Sequence, residues 1–541
     1  MKKSAVIFLF IIISFKAASA ELGIPGSLTP NFPHVTTNIY DSNAVGEGYI
    51  FLTAASDING VGNHLMILNN DGTPYFYKDM GEIHAYDFKV QPNGLMTFAQ
   101  SHDCNSYTGD SFAVHKVMNH DFDVIDSFQM GNGYIADYRD FKILPNGHAL
   151  LFGNYLTEID INEPFEVCDP NAAICGAVVQ ELDVFKNVVF QWCAGNFLDG
   201  EDMNQPDLSQ FHPHSVQLDK DGHILLASCD RIIKINRCTG GLIWQFGDDA
   251  NDFTFIGADP NEPVGYFGCS DFSRLPNCNI LIYDDGTRDG TSLSKVLEYK
   301  LDEENRTAEL VWQYVPDPNI FGLYSGSVQR LPNGNSLICR SVIDGNSIPA
   351  CWEITPDGKI LFDLFIDSND IRSFSAYRFS LPPETLITAV TKYELAVGNT
   401  YNFADSTSDT GVSLKVNYMD GQGYNEVTVR REPFAPINPE FPGTDPLVLP
   451  VRVIISQYAF MDINADVSFD VHSFNFADPN ILTVYHRQYR DKGLFIPLPT
   501  IYNYVTGKLR ASVYAQTGYE DDIGEFIFCY PDSCQSAKPE N

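Results

Sequence analysis

The sequence predicts an all-β protein, a six-bladed β-propeller followed by a C-terminal β-sandwich. Three observations carry that expectation. A short motif ending in a turn appears in five copies, a second hairpin pattern follows each copy, and beyond about Thr388 the repetition stops while alternating apolar runs continue. The composition agrees. Apolar residues make up 44% and aromatics 13%, enough for packed cores, while 40 glycines and 31 prolines lie between strand-length apolar runs. At 541 residues the chain exceeds one ordinary core, so more than one domain is expected.

Residues 1–20 have the pattern of a signal peptide. Lys2 and Lys3 precede the apolar run Ala5 to Phe15, and Ala18, Ser19 and Ala20 supply small residues for cleavage. No later stretch approaches the ~18 apolar residues that span a bilayer. The mature chain is therefore expected to begin near Glu21 and to be secreted or periplasmic. Its charge, −36 for the whole sequence, becomes −39 once Lys2, Lys3 and Lys16 are lost. So acidic a chain is unsuited to nucleic acid or an anionic membrane surface as main partner.

Residues 21–385 are organised by the repeat. Its copies run Asp87 to Gly94, Asp140 to Gly147, Ser215 to Gly222, Asp271 to Cys278 and Ser327 to Gly334. Each reads as an alternating strand, an Asn-Gly or Asp-Gly turn that tolerates positive φ, and a second strand. Cys278 replaces the turn glycine in one copy. The second hairpins are His64 to Tyr77, Phe112 to Gln129, Val178 to Trp192, Arg231 to Phe246, Lys295 to Tyr314 and Ala350 to Phe365, with Gly48 to Ala54 as a first-type partner at the start. Two hairpins per unit and six units make a six-bladed propeller. The turn spacings of 53, 75, 56 and 56 residues place one long insertion around Asn162 to Cys175 or Asn196 to Gln210. Stacked sandwiches are the competing architecture, but they rarely repeat a turn so regularly.

Residues 386–541 have another texture. Val412 to Tyr418, Leu449 to Ile455, Val467 to Val471, Leu482 to Tyr485 and Lys508 to Tyr514 alternate as strands, and Pro433 to Pro450 is a Pro-rich connection. An antiparallel sandwich is the simplest fit. Asp462, Asn464 and Asp466 are spaced like the start of a calcium loop, yet the glycine and closing glutamate are missing, so no metal is assigned.

The twelve cysteines are even in number and compatible with disulfides in an oxidising compartment. Cys168/Cys175 and Cys529/Cys534 are the best-spaced pairs. Cys229, Cys269, Cys278 and Cys339 lie in or beside strands and are expected to be buried thiols. The sequence contains no C-x-x-C, so a zinc ribbon lacks support.

In a propeller the innermost strands run along one axis, and residues early on them converge on one mouth. Eight residues before each turn position stand Tyr86, Arg139, His214, Ser270 and Gly326; ten before stand His84, Asp137, His212, Gly268 and Tyr324. Three histidines, an arginine and an aspartate thus fall in equivalent places. His148 and His223 follow the turn glycines and are expected at the surface. Signatures such as G-x-S-x-G, H-E-x-x-H and the P-loop are absent. Carboxylate pairs such as Asp284 and Asp285 read as solvated turn residues. Asn305-Arg-Thr307 is a glycosylation sequon.

The runs Asp140-Phe-Lys-Ile-Leu-Pro-Asn-Gly-His-Ala-Leu-Leu151, Ile232-Ile-Lys-Ile-Asn-Arg-Cys-Thr-Gly-Gly-Leu-Ile-Trp244 and Asn251-Asp-Phe-Thr-Phe-Ile-Gly257 resemble the arylsulfotransferase family, over roughly Gly48 to Leu381. That resemblance implies an exported six-bladed propeller that moves a sulfuryl group from an aryl sulfate to a phenol, without a cofactor or nucleotide donor. It also implies a transiently sulfated histidine, with further histidines and an arginine around it. Here the family's histidine before Asp-Phe-Lys falls on Arg139. Its His-x-Asn-Ser falls on His212-Pro-His214-Ser215, its hairpin-closing arginine on Cys229 with Arg231 two residues on, and its nucleophile on Ser270. One of four reactive positions is kept.

The expected catalytic set is therefore His212, His214, Arg139 and Ser270. His84, Tyr86, Arg231, Arg288 and Tyr324 are expected to bind a small aromatic sulfate or phenol, with Tyr266 and Phe267 as further aromatic wall. Imidazole suits covalent transfer, and fixed cations suit the developing anionic charge. The alternative is a catalytically inactive propeller that uses the same mouth to bind an aromatic or anionic ligand or a partner protein. Oligomeric state is left open by the sequence.

Overall fold

The structure is a computed structural model of the chain. It describes residues 28–55, 62–101, 113–155, 176–194, 213–228, 231–247, 251–256, 268–286, 293–317, 326–340, 342–344, 348–367, 369–373, 375–381, 383–420, 424–459, 462–472, 474, 478–516, 522–532 and 534. The expected leader, the long insertions and the pair Cys168/Cys175 lie outside the described residues. Among the described residues the chain is all-β, with short 3-10 turns and no helix long and apolar enough to cross a membrane.

Each repeat motif forms the expected hairpin. The strands Pro213–Leu218, Ile224–Ser228, Arg231–Ile235 and Leu242–Gly247 follow one another across one antiparallel sheet. Similar four-strand progressions run from Cys269–Arg274 to Thr307–Tyr314 and from Gly326–Arg330 to Ile360–Asp367. Two more such groups, beginning at His84–Val90 and Ile135–Ile143, are joined into one larger sheet through the single pairing Ala113↔Ala136. The turns explain the motif chemistry. Gly94, Gly147, Gly222 and Gly334 have φ of +82°, +82°, +84° and +90°, a region that costs a side chain strain. Cys278 takes that position at +70° and is exposed, contrary to the buried thiol expected from its place beside a strand. The turn geometry aims it outward.

The first-strand sequence Tyr49–Ala54 lacks an inner partner from its own neighbourhood. It pairs instead with Ala376–Phe379, more than 300 residues later, so the two ends of the repeat region close on each other. The first strands of successive groups pack side by side. His84–Val90 meets Ile135–Ile143, then Pro213–Leu218, Cys269–Arg274, Gly326–Arg330 and Ala376–Phe379, which returns to His84–Val90. Apart from the single Ala113↔Ala136 pairing, such strands have one edge without a sheet partner, and their backbone groups need others. The motif supplies them. Asp140 Oδ2 accepts from Val216 N at 2.9 Å and Asp271 Oδ2 from Val328 N at 3.0 Å. Gln91, Gln217 and Gln329 accept from the backbone of Ile143, Arg274 and Arg378 on the next strand. The repeated Asp and Gln are thus staples between neighbours.

From Thr388 on, the strands form two sheets. One runs in the order Thr388–Tyr393, Glu426–Glu432, Leu447–Tyr458, Asp522–Tyr530, Thr483–Arg487, Ile496–Pro497; the other Thr400–Ala404, Asp409–Asp420, Asp462–Asp470, Lys508–Gln516, Thr500–Asn503. Both contribute to one apolar core that includes Val429, Ile455, Phe526, Leu414, Val467 and Leu509. Pro450 falls inside Leu447–Tyr458, where the pairing with Asp522–Tyr530 skips from Val448 to Arg452. Proline has no N–H to give there, and the ladder detours around it. The Asp462 to Asp466 segment is a strand rather than a loop, and Asp466 accepts from Arg510 Nη2 and Ser512 Oγ, each at 2.6 Å. The calcium-loop likeness therefore has no structural counterpart.

The C-terminal residues sit over the turn ends of three repeat hairpins. Ala435 N donates to Pro92 O at 2.8 Å, and Phe434, Pro439 and Leu447 lie against Gly94, Gly147 and Gly222. A disulfide joins Cys238 to Cys534. This corrects the pairing Cys529/Cys534: Cys529 is a free thiol, buried in an apolar cluster with Val448, Phe495 and Ile527, because its strand turns it inward. Cys193 is also disulfide-bonded.

The docking buries His148, which the sequence places at the surface. It is 1% exposed, with Nδ1 2.6 Å from Glu181 and Nε2 2.8 Å from Asp445. Burial opposes charge on the ring, but the hydrogen bonds and charges of Asp445 and Glu181 outweigh it and raise the pKa to about 9. A folded-state pKa above the unfolded value stabilises at low pH and ceases to as pH rises through it. His148 should therefore hold the two parts together fully below about pH 6.5, and its contribution should vanish above about pH 9. Thermal unfolding against pH tests this: the wild-type midpoint should fall across that window, and His148→Ala should remove that part of the fall. Equal slopes in both proteins would show that His148 is not the titrating group.

Candidate functional site

The described candidates other than Arg231, which opens the third strand of its sheet, lie early on the mutually packed strands. His84 and Tyr86 are on His84–Val90, Asp137 and Arg139 on Ile135–Ile143, His214 on Pro213–Leu218 and Ser270 on Cys269–Arg274, while Gly326 begins the next. His212, Arg288, Tyr324, Tyr266 and Phe267 lie outside the described residues. Pairing to the second strand skips between Pro213 and Ser215 and between Cys269 and Asp271. His214 and Ser270 are thus the bulged residues of two neighbouring strands. A bulge breaks strand alternation and re-aims its side chain.

One side of the site is aromatic. The His84 ring is stacked 6.3 Å from that of Tyr86, Tyr86 lies 4.4 Å from Tyr138, and the Arg139 guanidinium covers the Tyr138 ring at 4.7 Å. Tyr86 is only 1% exposed, in a cluster with Ala55, Ala99, Ala113 and Tyr138. Its ring is packing between strand groups rather than open wall. Arg139 Nη1 is 2.7 Å from Asp137 Oδ2, and Asp137 also accepts the Arg139 N–H at 2.8 Å. Burial raises the Asp137 pKa, while Arg139 pulls the other way. His115, which sequence reasoning passed over, lies 2.9 Å from the Asp137 carbonyl and stacks on Phe141. Burial and the Lys89 charge push its pKa down to about 3, so it is neutral and donates to that carbonyl.

The other side centres on Ser270. Its Oγ donates to Asp285 Oδ2 at 2.7 Å, and the two residues are 6% and 2% exposed. Asp284 and Asp285 are therefore buried, not the solvated turn pair expected from composition. The end of the strand Ile280–Asp284 carries them inward, and Asp285 is fixed by its N–H to Gly268 O and by Ser294 Oγ to its own carbonyl. Burial pushes the Tyr283 hydroxyl well above its ordinary pKa; Ser294 and Arg340 oppose this and the Asp285 charge adds to it. Gly326 is required beside them, since a Cβ there would come within 2.3 Å of the Tyr283 ring. Arg340, opposite Gly326, donates to the carbonyls of Pro349 and Ile348. A buried aspartate fifteen residues after the bulged serine left no periodic mark in the sequence.

Below these residues lies a charged plug. Lys89 Nζ is 2.7 Å from Asp87 Oδ2 and 2.5 Å from Asp140 Oδ1, Lys142 is 2.9 Å from the same Asp140 oxygen, and Ser215 Oγ donates to Asp140 Oδ2 at 2.8 Å. Burial raises Asp140, but the two lysines reverse this and hold its carboxyl well below the ordinary range. Asp87 and Asp271 are raised to about 7, chiefly by burial. Asp87 has a φ of +52°, a strained value for a residue with a Cβ. Farther out, Asp219, Asp221 and Glu303 come together, but Lys234 and Arg274 already reach into them at 2.5–2.9 Å. Their charge is met by side chains. Arg231, expected at the mouth, bonds Gln245 Oε1 at 3.2 Å.

Among curated proteins none matches the chain. Similar solved structures include the Cps50 (Swd1) β-propeller domain of Myceliophteria thermophila, at 8% identity and a TM-score of 0.34 over 60% of this chain and 87% of that one. The Dos1 propeller is similar at 8% identity and 0.29, over 60% and 70%. By sequence, the segment from Ser270 to Arg378, which holds Asp285, Tyr283, Gly326 and Arg340, matches the arylsulfotransferase (ASST) family.

Proposed function

We propose that this chain is an exported arylsulfotransferase-like protein that transfers a sulfuryl group from an aryl sulfate to a phenolic acceptor. Its repeat region, residues 21–385, is read as a six-bladed propeller and residues 386–541 as a sandwich. Support for the first comes from the first strands, each packed on the next and returning to the start; for the second, from two sheets sharing one core. The Cys238–Cys534 disulfide supports an oxidising compartment. The observation that carries the function is the family match beginning at Ser270, the bulged and buried residue beside the strand that bulges at His214.

In this reading His214 and His212, with Arg139, stabilise charge on the sulfuryl oxygens, and His84, Arg231, Arg288 and Tyr324 bind the aryl sulfate around them. The test uses purified mature protein, a chromogenic aryl sulfate and a phenol acceptor. Phenol release should rise with acceptor concentration and fall by about 10²–10³-fold in His214→Ala, the usual cost of one lost oxyanion donor. Undiminished release in both His212→Ala and His214→Ala would remove the histidines from the mechanism.

One observation favours a second reading, a catalytically inactive propeller that binds an aromatic or anionic ligand or a partner protein. Arg139 is already paired with the buried Asp137, so an incoming anion must compete with a carboxylate. In that case no aryl sulfate turns over, yet its addition raises the melting temperature by mass action.

A further inference from the structure

We infer that Ser270 is the group that takes up the sulfuryl moiety, with Asp285 as the base that receives its proton. The inference rests on the sulfuryl-transfer reading above and assigns its nucleophile to a residue other than histidine. Sequence alone offers Ser270 no base except His212 or His214. The structure supplies a different one: Ser270 Oγ donates to Asp285 Oδ2 at 2.7 Å. Both residues are nearly excluded from water, at 6% and 2% exposure, which strengthens the pull of a carboxylate on a hydroxyl proton.

The dyad is also held. Ser270 stands at the register break of its strand, which is what turns its side chain toward the end of the neighbouring strand. Asp285 is pinned at both backbone groups, by Gly268 O and by Ser294 Oγ, so its carboxylate does not have to be ordered when substrate arrives. His214 is the equivalent bulged residue on the adjoining strand, and in this assignment it stabilises the group in transit. A carboxylate receiving a hydroxyl proton during phosphoryl transfer is the closest chemical parallel.

The step balances without any further reactant. Ser270 Oγ attacks sulfur and forms the Oγ–S bond as the S–O(aryl) bond breaks, its electron pair leaving on the phenolate oxygen. The Ser270 proton passes to Asp285 and from there to the phenolate, which departs as the phenol. An acceptor phenol then attacks the sulfur, the Oγ–S bond breaks toward Ser270, and the acceptor's proton returns through Asp285 to Oγ.

Intact-mass and peptide analysis of the full mature chain after exposure to an aryl sulfate without acceptor tests the assignment. One sulfuryl adduct is expected on the peptide holding Ser270. It should survive mild acid, as an O-sulfate does and an N-sulfated imidazole does not, and alkali should eliminate it to dehydroalanine. Ser270→Ala should lose both adduct and transfer. Asp285→Asn should slow adduct formation by about 10²–10⁴-fold, the range for a lost general base, with the residual rate climbing as pH rises because hydroxide must then remove the proton. Should Asp285→Asn fail to fold, Ser270→Ala and the acid–alkali behaviour of the wild-type adduct decide alone. An active wild type with an acid-labile adduct on a histidine, or full transfer in Ser270→Ala, overturns this inference and leaves the sulfuryl-transfer reading standing. A wild type with neither turnover nor adduct overturns both.

Discussion

Glu181→Ala is expected to lower the unfolding free energy by about 3–5 kcal/mol, the cost of removing one member of a buried ionic network. Glu181 is fully buried and holds two cations: Arg237, through Nε at 2.5 Å and Nη2 at 2.6 Å, and His148 at 2.6 Å. Each of those cations reaches across to the C-terminal region, Arg237 to Asp532 at 2.6 Å and His148 to Asp445 at 2.8 Å. Burial alone would raise the Glu181 pKa, yet His148 and Arg237 bring it down to about 2. The group is therefore ionised at neutral pH and its contribution persists until strong acid. With alanine, two cations remain buried with one carboxylate each and a cavity between them. Denaturant unfolding at neutral pH measures the loss, and Glu181→Gln, which keeps the volume, separates charge from packing. A loss below about 1 kcal/mol would show that Asp445 and Asp532 suffice to hold the pair.

Asp140→Ala is expected to cost a comparable ~3–5 kcal/mol at a different place, among the strands that meet around the charged plug. Asp140 is buried, takes charge from Lys89 and Lys142, and accepts from Ser215 Oγ and the Val216 N–H of the next strand. Its removal takes one carboxylate from each of two lysines, leaving Lys89 with Asp87, and takes the acceptor from one backbone N–H. Hydrogen exchange locates the effect: the Val216 amide should exchange far faster in the variant, while amides of the Thr388–Tyr393 sheet keep their protection. Unchanged protection at Val216 would mean the strands hold together without this carboxylate. Asp140→Asn should fall between, since its amide oxygen can still accept from Val216 but brings no charge to the lysines.

Much of the fold was legible because hairpins are local. The turn needs a residue at positive φ and the flanking strands need alternation, so Asp87 to Gly94 and its counterparts declare themselves within a dozen residues. The strands missed in the C-terminal region, such as Thr388–Tyr393 and Glu426–Glu432, are rich in polar residues whose place in a sheet is decided by neighbours. The candidate site was legible in part. Counting back from the turns put His214 and Ser270 at equivalent points of neighbouring strands, whereas Asp285 was read as solvated and His115 passed over, because nothing local distinguishes a buried partner from a solvated acid or a satisfied histidine.

By itself the sequence determined the all-β class, the positions of the repeated turns and the residues that begin each first strand. Those depend on short-range sterics and on the two-residue period of a strand. Only the tertiary structure decided what crosses long stretches of chain: Ala376–Phe379 joining Tyr49–Ala54, Cys534 bonding Cys238 rather than a nearby thiol, and Asp445 burying His148. It also decided that Ser270 meets a carboxylate instead of an imidazole. The physical reason is the same in each case. Partner choice between distant groups is set by which surfaces come together and exclude water, and a charge or thiol carries no mark in sequence of the group it will face once water has gone.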